Sequence, residues 1–355
     1  MRSFGEAGIR QILLLICQED VCCVKDSKYL KQNNCYLLSD LNSCMSVLRE
    51  IAIEETKQIL ITTFDSAAEW VDEREDILSE WFRTPCRGHQ IGKLFNKDEQ
   101  CNLARKCGFN VPLSIIYNRY DDLNFKLLTF PLITKPLYSS KGSKGDIHIC
   151  YTQEDLNSSL EAESQCESFI IQEYIEKEYE IDAIGVSIDE GIIMGGGVLK
   201  HRHWPKGIGA GAYGFFDKID AFNIDLEPIQ LFIKESNYHG PFSIELIHTK
   251  DGRNFFMEVN FRNEGLAYAS TCAGANLHAL YIDSNKFIDW AKFRKTYLMN
   301  YSIDFLYVKE KELSIWKWVR DLIRTRCFIN ICFSDLGPAF AYYKNKLCKN
   351  KTKMF

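Results

Sequence analysis

The stretch "FFMEVNFRNEG" (residues 255–265) sets Glu258, Asn260 and Arg262 at every second position, with Met257, Val259 and Phe261 between them. A period of two marks a strand with unlike faces, and here one face is apolar while the other is rich in charge. Upstream, "GPFSIELIHTKDG" (240–252) carries a further carboxylate, Glu245, among apolar neighbours and ends in Asp-Gly, the strongest short-range hairpin signal. With Asp251 and Gly252 as the two central turn residues, Lys250 opposes Arg253, and counting outward places Glu245 across from Glu258. Like charges directly opposed destabilise a sheet, so this register predicts a cation between them. Magnesium takes oxygen ligands and is usually held by one or two carboxylates plus substrate phosphates. Glu245, Glu258 and Asn260 supply such a set, and Arg262 adds a permanent charge beside it for a phosphoryl group or oxyanion. A solvated hairpin with cross-strand salt bridges is the other reading of the same spacing.

The 355 residues allow about two or three domains, and 46% hydrophobic with 26% charged residues is ordinary for a globular chain. A formal charge of -5 argues against a general nucleic-acid binder, although the end "YYKNKLCKNKTKMF" carries five lysines and no acid. The 14 cysteines form no Cys-x-x-Cys pair and no cluster with histidine, which argues against zinc. No secretory signal is visible, and "ILLLIC" (12–17) is too short for a signal core or a membrane span. The thiols then read as reduced and buried, and the location as cytoplasmic.

From 21 to 81, short apolar runs ("VCCVK", "CYLLSD", "QILITTF") alternate with helix-like segments such as 41–54, where Leu41, Cys44, Leu48 and Ile51 recur at helical spacing. This predicts a small α/β domain with a parallel sheet. Ahead of it, "RSFGEAGIR" reads as the turn after a first strand for which the chain has no room, so either this domain is abbreviated or Met1 is not the natural start. A helix over 97–107 should stop at Gly108, ahead of Pro112. Strands dominate from 130 onward, with helices near 153–163 and 226–237. The last forty residues read as a helix, "SIWKWVRDLIRTR", then an irregular aromatic and basic end. Trp316, Val319 and Ile323 at helical spacing are expected in the core rather than at a membrane.

Three further stretches bear on chemistry. "LITKPLYSSKGSKGDIHI" (132–149) puts Lys135 at a strand end before a loop of serines, glycines and lysines; such a loop wraps phosphates or is simply a solvated hairpin, and it is not a Walker loop. "FIIQEYIEKEYEID" (169–182) joins an apolar strand to Glu173, Tyr174 and Ile175, suited to meeting a purine edge, with Glu178 nearby for ribose hydroxyls. "KHRHWPKGIGAGAYG" (200–214) combines Lys200, Arg202 and two histidines with glycines, as a mobile loop over an anionic substrate would.

A phosphate-wrapping loop, a purine-like strand and a paired-carboxylate hairpin, in that order, resemble the ATP-grasp superfamily from about Lys97 to Asn276. "GPFSIEL" with "FFMEVNFRNEG" is similar to that family's Glu…Glu-x-Asn-x-Arg signature. The resemblance implies a mixed α/β, α+β fold with an abbreviated pre-ATP-grasp domain at 1–92. An ATP-grasp domain follows at 93–290, with its lid at about 130–180, and a helical, basic extension at 291–355. By the same resemblance Lys97 and Lys135 hold the ATP phosphates, Ser139, Ser140, Gly142, Ser143 and Gly145 form the lid loop, and Glu173, Tyr174 and Ile175 the adenine hinge. Glu178 takes the ribose. Glu245, Glu258 and Asn260 bind magnesium, or manganese in its place, and Arg262, Lys200 and Arg202 act on the reacting groups.

Within the superfamily the chain is similar to the D-aspartate ligase and carbamoyl-phosphate-synthetase-like group, including members from bacterial surface-polysaccharide clusters, partly through "NFRNEG" and "FSDLGPAF". The implied activity is ATP-dependent joining of a carboxylate to an amine through an acyl phosphate, releasing ADP and phosphate. The implied partners are ATP, a small-molecule or glycan-linked carboxylate and an amine, and no nucleic acid. Peripheral membrane contact through the basic tail and an oligomeric state stay open. The rival is a non-catalytic nucleotide-binding scaffold at a membrane-associated assembly.

Overall fold

The computed structural model describes every residue except 18, 54, 120, 122–126, 139–146, 163–166, 208 and 353–355. The amino-terminal part contains two parallel strand pairs. The first joins β1 (Leu14–Ile16) to β2 (Cys35–Leu37), and the second joins β3 (Gln58–Ile59) to β4 (Phe82–Arg83). The expected helix forms over Cys44–Ile51 and buries Cys44 and Leu48. "VCCVK" is not a strand. It lies in a 3-10 helix, Glu19–Asp26, because the chain beyond it is tied to the far end of the molecule: Ser27 Oγ and Lys28 N both donate to Asp335. Nor is "RSFGEAGIR" a turn after a strand. Arg2–Glu6 is helical, Asn276 Nδ2 donates to the Ser3 carbonyl at 2.8 Å, and the Arg2 guanidinium donates to that of Ile329 at 3.1 Å.

A four-stranded antiparallel sheet follows, built from β5 (Ser114–Asn118), β6 (Leu132–Pro136), β7 (His148–Cys150) and β8 (Ser168–Glu173) in the order β5-β8-β6-β7. It has its own core, in which Leu132, Phe169 and Ile171 meet Leu156 and Leu160 of helix Gln153–Ala162.

The remaining strands make one seven-stranded sheet. They are β9 (Tyr179–Ile188), β10 (Gly191–Trp204), β11 (Ala210–Asp217), β12 (Pro241–His248), β13 (Asn254–Asn260), β14 (Thr296–Met299) and β15 (Thr325–Phe328), ordered β13-β12-β9-β10-β11-β14-β15. Every pairing is antiparallel except β14 with β15. The "YEIDAIGVSI" run suits an interior strand covered on both faces, and nine of the ten residues of β9 are buried. β10 bulges at Gly195, and Gly196 beside it lies at φ +148°, where a Cβ would fall 2.2 Å from the Asp217 carbonyl; only glycine fits.

One continuous core joins Leu48, Val71, Leu78 and Ile91 to Phe232, Ile244, Phe256 and Phe261, so the amino-terminal segment packs directly on the strands that carry the paired carboxylates. The carboxy-terminal end is more regular than expected. "SIWKWVRDLIRTR" becomes helix Ile315–Arg324 capped by Ser314, β15 joins the large sheet, and Gly337–Thr352 is helical. No helix among the described residues is long and apolar enough to cross a membrane.

Candidate active site

Glu245 pairs with Glu258, the opposition expected from the sequence, but by another route. The turn spans Thr249 to Gly252, with Gly252 at φ +84° and its N–H donating to the Thr249 carbonyl. The left-handed conformation falls on the glycine alone, so the loop is one residue longer than a two-residue turn, and His248 pairs with Asn254. A bulge between Leu246 and Glu245 then absorbs one residue of β13 and restores the Glu245–Glu258 register. On its other side Glu245 pairs with Asp182 of β9, which makes a row of three carboxylates across three adjacent strands.

The cation expected beside this row is partly built in. Lys200, on β10, is buried with its ammonium 2.6 Å from Asp182, 2.9 Å from Glu245 and 3.7 Å from Glu180. Burial pushes that ammonium toward losing its proton, but Asp182, Glu245 and Glu180 outweigh it and hold the pKa well above the ordinary lysine value. Asp182 is pushed well above the usual carboxylate range by burial and by the charge of Glu245. Glu180 is held below that range: burial opposes this, but its His203 hydrogen bond and the charges of Lys200 and Lys177 prevail.

Above this layer opens a cleft lined by residues of both sheets. Lys97, Lys135, Glu245 and Glu258 all line it. Glu173, Tyr174 and Ile175 form the link between the sheets, and Ile133, Ile147, Ile247, Phe256 and Met257 give apolar walls. Lys97 opens helix Lys97–Lys106, which is started by Asn96 accepting from the N–H groups of Asp98 and Glu99. Lys135 comes from β6 and is 8% exposed. Burial pushes both lysines below the ordinary lysine pKa, the nearby Glu258 charge partly offsetting it.

Asn260 lies beside Glu245, its Nδ2 donating to Glu245 Oε1 at 3.3 Å and to Ser243 Oγ at 3.1 Å. Arg262 donates to Asn260 Oδ1 at 3.0 Å and pairs with Asp65 at 2.6 Å, at the start of helix Asp65–Glu73. The amino-terminal segment thereby fixes the guanidinium at the rim of the site. The Glu245, Glu258 and Asn260 donors suit a hard dication, which takes oxygen ligands. Two of them, Glu245 and Glu258, line the cleft that Lys97 and Lys135 also line. A second acidic group, Asp182, Glu245 and Glu264, brings its oxygens within 4.8 Å of one another, but the Lys200 ammonium already sits against two of its members.

Three expected residues fall elsewhere. Arg202 does not join Lys200, because a bulge at His201 interrupts the alternation of β10. Its guanidinium instead forms a bidentate pair with Asp304 at 2.7 and 2.9 Å, reaches Asp321 at 2.8 Å, and lies over the Tyr213 ring. Lys200 is a buried counter-ion rather than part of a mobile loop. Glu178 does not line the cleft; Lys177 and Glu180 of the same segment do, paired to each other. Ser139, Ser140, Gly142, Ser143 and Gly145 lie outside the described residues. Asp65, Glu180, Asp182 and His203 were not singled out from the sequence. Glu180 and Asp182 carried a usable signal, two acids at alternate positions in an otherwise apolar strand.

The chain is mixed α/β, with a cleft between its two larger sheets lined by Lys97, Lys135, Glu245 and Glu258. No protein-family profile and no curated protein sequence matches the chain. Solved structures do. The N5-carboxyaminoimidazole synthetase of Staphylococcus aureus, complexed with ADP, is 15% identical with a TM-score of 0.66 over 88% of this chain and 81% of that one. An L-amino acid ligase from Bacillus licheniformis is 16% identical, TM-score 0.59, over 78% and 75%. The biotin carboxylase β-γ-ATP complex from Campylobacter jejuni is 13% identical, TM-score 0.61, over 83% and 70%. The chain has the ATP-grasp fold.

Proposed function

We propose that the protein is an ATP-dependent ligase that joins a carboxylate to an amine through an acyl phosphate, releasing ADP and phosphate. The observation that carries this reading is the cleft itself, where Lys97 and Lys135 join Glu245 and Glu258 beside an apolar slot at Glu173–Ile175. The similar folds include an amino-acid ligase and an ADP-complexed synthetase, which favours this chemistry over a scaffold.

ATP is a substrate, its base set against Ile133, Ile175 and Phe256 and its phosphates directed to the two lysines. Their depressed pKa values mean that the empty site opposes the ammonium form, so an arriving polyphosphate is favoured by the buried positive charge that it relieves. Glu245, Glu258 and Asn260 would hold magnesium, or manganese in its place; bound there, the metal neutralises charge on the phosphoryl oxygens. The acceptor carboxylate attacks the γ-phosphorus as the bond to ADP breaks. The acyl phosphate then has a leaving group that the free carboxylate lacks, the amine attacks its carbonyl carbon, and phosphate departs. Arg262, fixed by Asp65, is placed to stabilise the negative charge that builds up on the acyl phosphate and the oxyanion after it. Lys200, itself paired with Asp182, keeps Glu245 in place from below.

The finer reading, from the resemblance of "NFRNEG", is a small-molecule or glycan-linked acceptor in surface-polysaccharide or cell-wall synthesis. Purified protein with magnesium, ATP, hydroxylamine and pooled amino acids, uronic acids and small diacids tests the activity. Hydroxamate formed in step with ADP is the expected result; ADP release without hydroxamate from any pool would remove the acyl-phosphate step.

A further inference from the structure

Helix Ile315–Arg324 is turned the opposite way from an ordinary surface helix. At about 100° per residue, Ile315, Val319, Ile323 and Trp316 share one arc of the helix, and Lys317, Arg320 and Arg324 the next. The inward arc holds Asp321, 3% exposed and paired with Arg202, and Trp318, whose ring packs on Phe305. The apolar arc faces outward: Trp316 is 81% exposed, Ile323 79% and Ile315 44%. The core placement expected for Trp316 and Ile323 is therefore reversed, because the Arg202–Asp321 pair claims the inner side for charge.

Every charged side chain exposed on this helix is a cation, since its single acid, Asp321, is buried. The chain as a whole carries -5, so this surface opposes the overall sign. Tryptophan and aliphatic side chains beside lysine and arginine on one helix are the pattern that lies in a lipid headgroup layer. A two-fold contact with a second copy would instead set these cations against themselves.

We propose that helix Ile315–Arg324 seats the protein on an anionic lipid surface, Trp316 and Ile323 entering the headgroup boundary and Lys317, Arg320 and Arg324 meeting the lipid charge. The inference is independent of the proposed reaction.

The test is co-sedimentation of the full chain with vesicles of equal parts phosphatidylglycerol and phosphatidylcholine, and with phosphatidylcholine alone. Binding to the mixed vesicles only, weakening with salt, is expected. Trp316→Ser with Ile323→Ser should lower the apparent affinity at least tenfold with the thermal midpoint unchanged, and Lys317→Glu, which leaves the Arg320–Asp321 pair intact, should lower it by more than the about fivefold that loss of one charge gives. Absence of wild-type binding would overturn the proposal. So would equal binding by these variants, including binding carried wholly by residues 341–355. A dimer in solution that Trp316→Ser and Ile323→Ser dissociate would assign the face to a second copy and overturn it as well.

Discussion

Lys200→Met keeps the length of a side chain that is 3% exposed and removes the charge lying 2.6 Å from Asp182 and 2.9 Å from Glu245. At an effective dielectric constant of about 20, each pair at such a separation attracts by about 6 kcal/mol. Desolvation offsets much of this, and removing one partner of a buried pair costs about 3–5 kcal/mol, because the other charge is left uncompensated. The variant has one escape, protonation of Asp182, whose pKa is already raised by burial and by Glu245. A carboxylate raised above its unfolded value of about 3.9 binds more protons in the folded state, so stability falls as pH rises from there toward the folded pKa. Loss of the Lys200 charge raises that folded pKa further and extends the fall to higher pH. Urea unfolding of both proteins at pH 5.5 and pH 8 should show a deficit of about 3–5 kcal/mol at pH 8 and a smaller one at pH 5.5. Adding Asp182→Asn should recover part of the pH 8 deficit. An equally stable Lys200→Met at pH 8, or a deficit independent of pH, would refute the assignment of Lys200 as counter-ion to this row.

Lys135→Met removes a buried ammonium whose pKa is depressed chiefly by burial, so calorimetry should find the empty protein more stable by about 1–3 kcal/mol and its ATP affinity lower at least tenfold; unchanged affinity would take Lys135 out of the phosphate site. Glu258→Gln alters charge at nearly constant volume, and steady-state assays should show turnover down by at least about a thousandfold with the unfolding midpoint retained; full activity would sink the metal assignment. Arg202→Met leaves Asp304 and Asp321 buried without their shared cation and should cost about 3–5 kcal/mol in denaturant unfolding while nucleotide titrations stay the same. Loss of ATP affinity at intact stability would return Arg202 to the active site.

The hairpin was legible in the sequence because Glu258 and Asn260 alternate with apolar residues and Glu245 stands alone among them; period two and an Asp-Gly turn are local signals. The residues nearest the turn were out of register by one, since Asp-Gly does not reveal whether glycine closes a two- or three-residue loop, and the opposition of Glu245 and Glu258 survived through a bulge that leaves no mark in the sequence. A bulge also explains Arg202: period-two counting puts it beside Lys200, and one extra residue at His201 sends it to Asp304. Periodicity shows that helix Ile315–Arg324 has two faces but not which one turns inward. That was decided by Arg202 and Asp321, 119 residues apart, and the pairing of distant charges is invisible to local patterns. Asp65 is missing from the sequence reading for the same reason, since only the fold brings it to Arg262.

Phosphoryl transfer to a carboxylate is the central claim, and it leaves an isotopic trace. Once hydroxylamine trapping has identified the acceptor, the acid should be labelled with ¹⁸O in its carboxyl group, turned over with its amine and MgATP, and the released phosphate analysed by mass. Attack by the carboxylate on the γ-phosphorus, followed by cleavage of the acyl C–O bond, moves a carboxylate oxygen into each phosphate. Phosphate carrying one ¹⁸O for every amide formed is the predicted result, and unlabelled phosphate accompanying amide formation would contradict the acyl-phosphate mechanism.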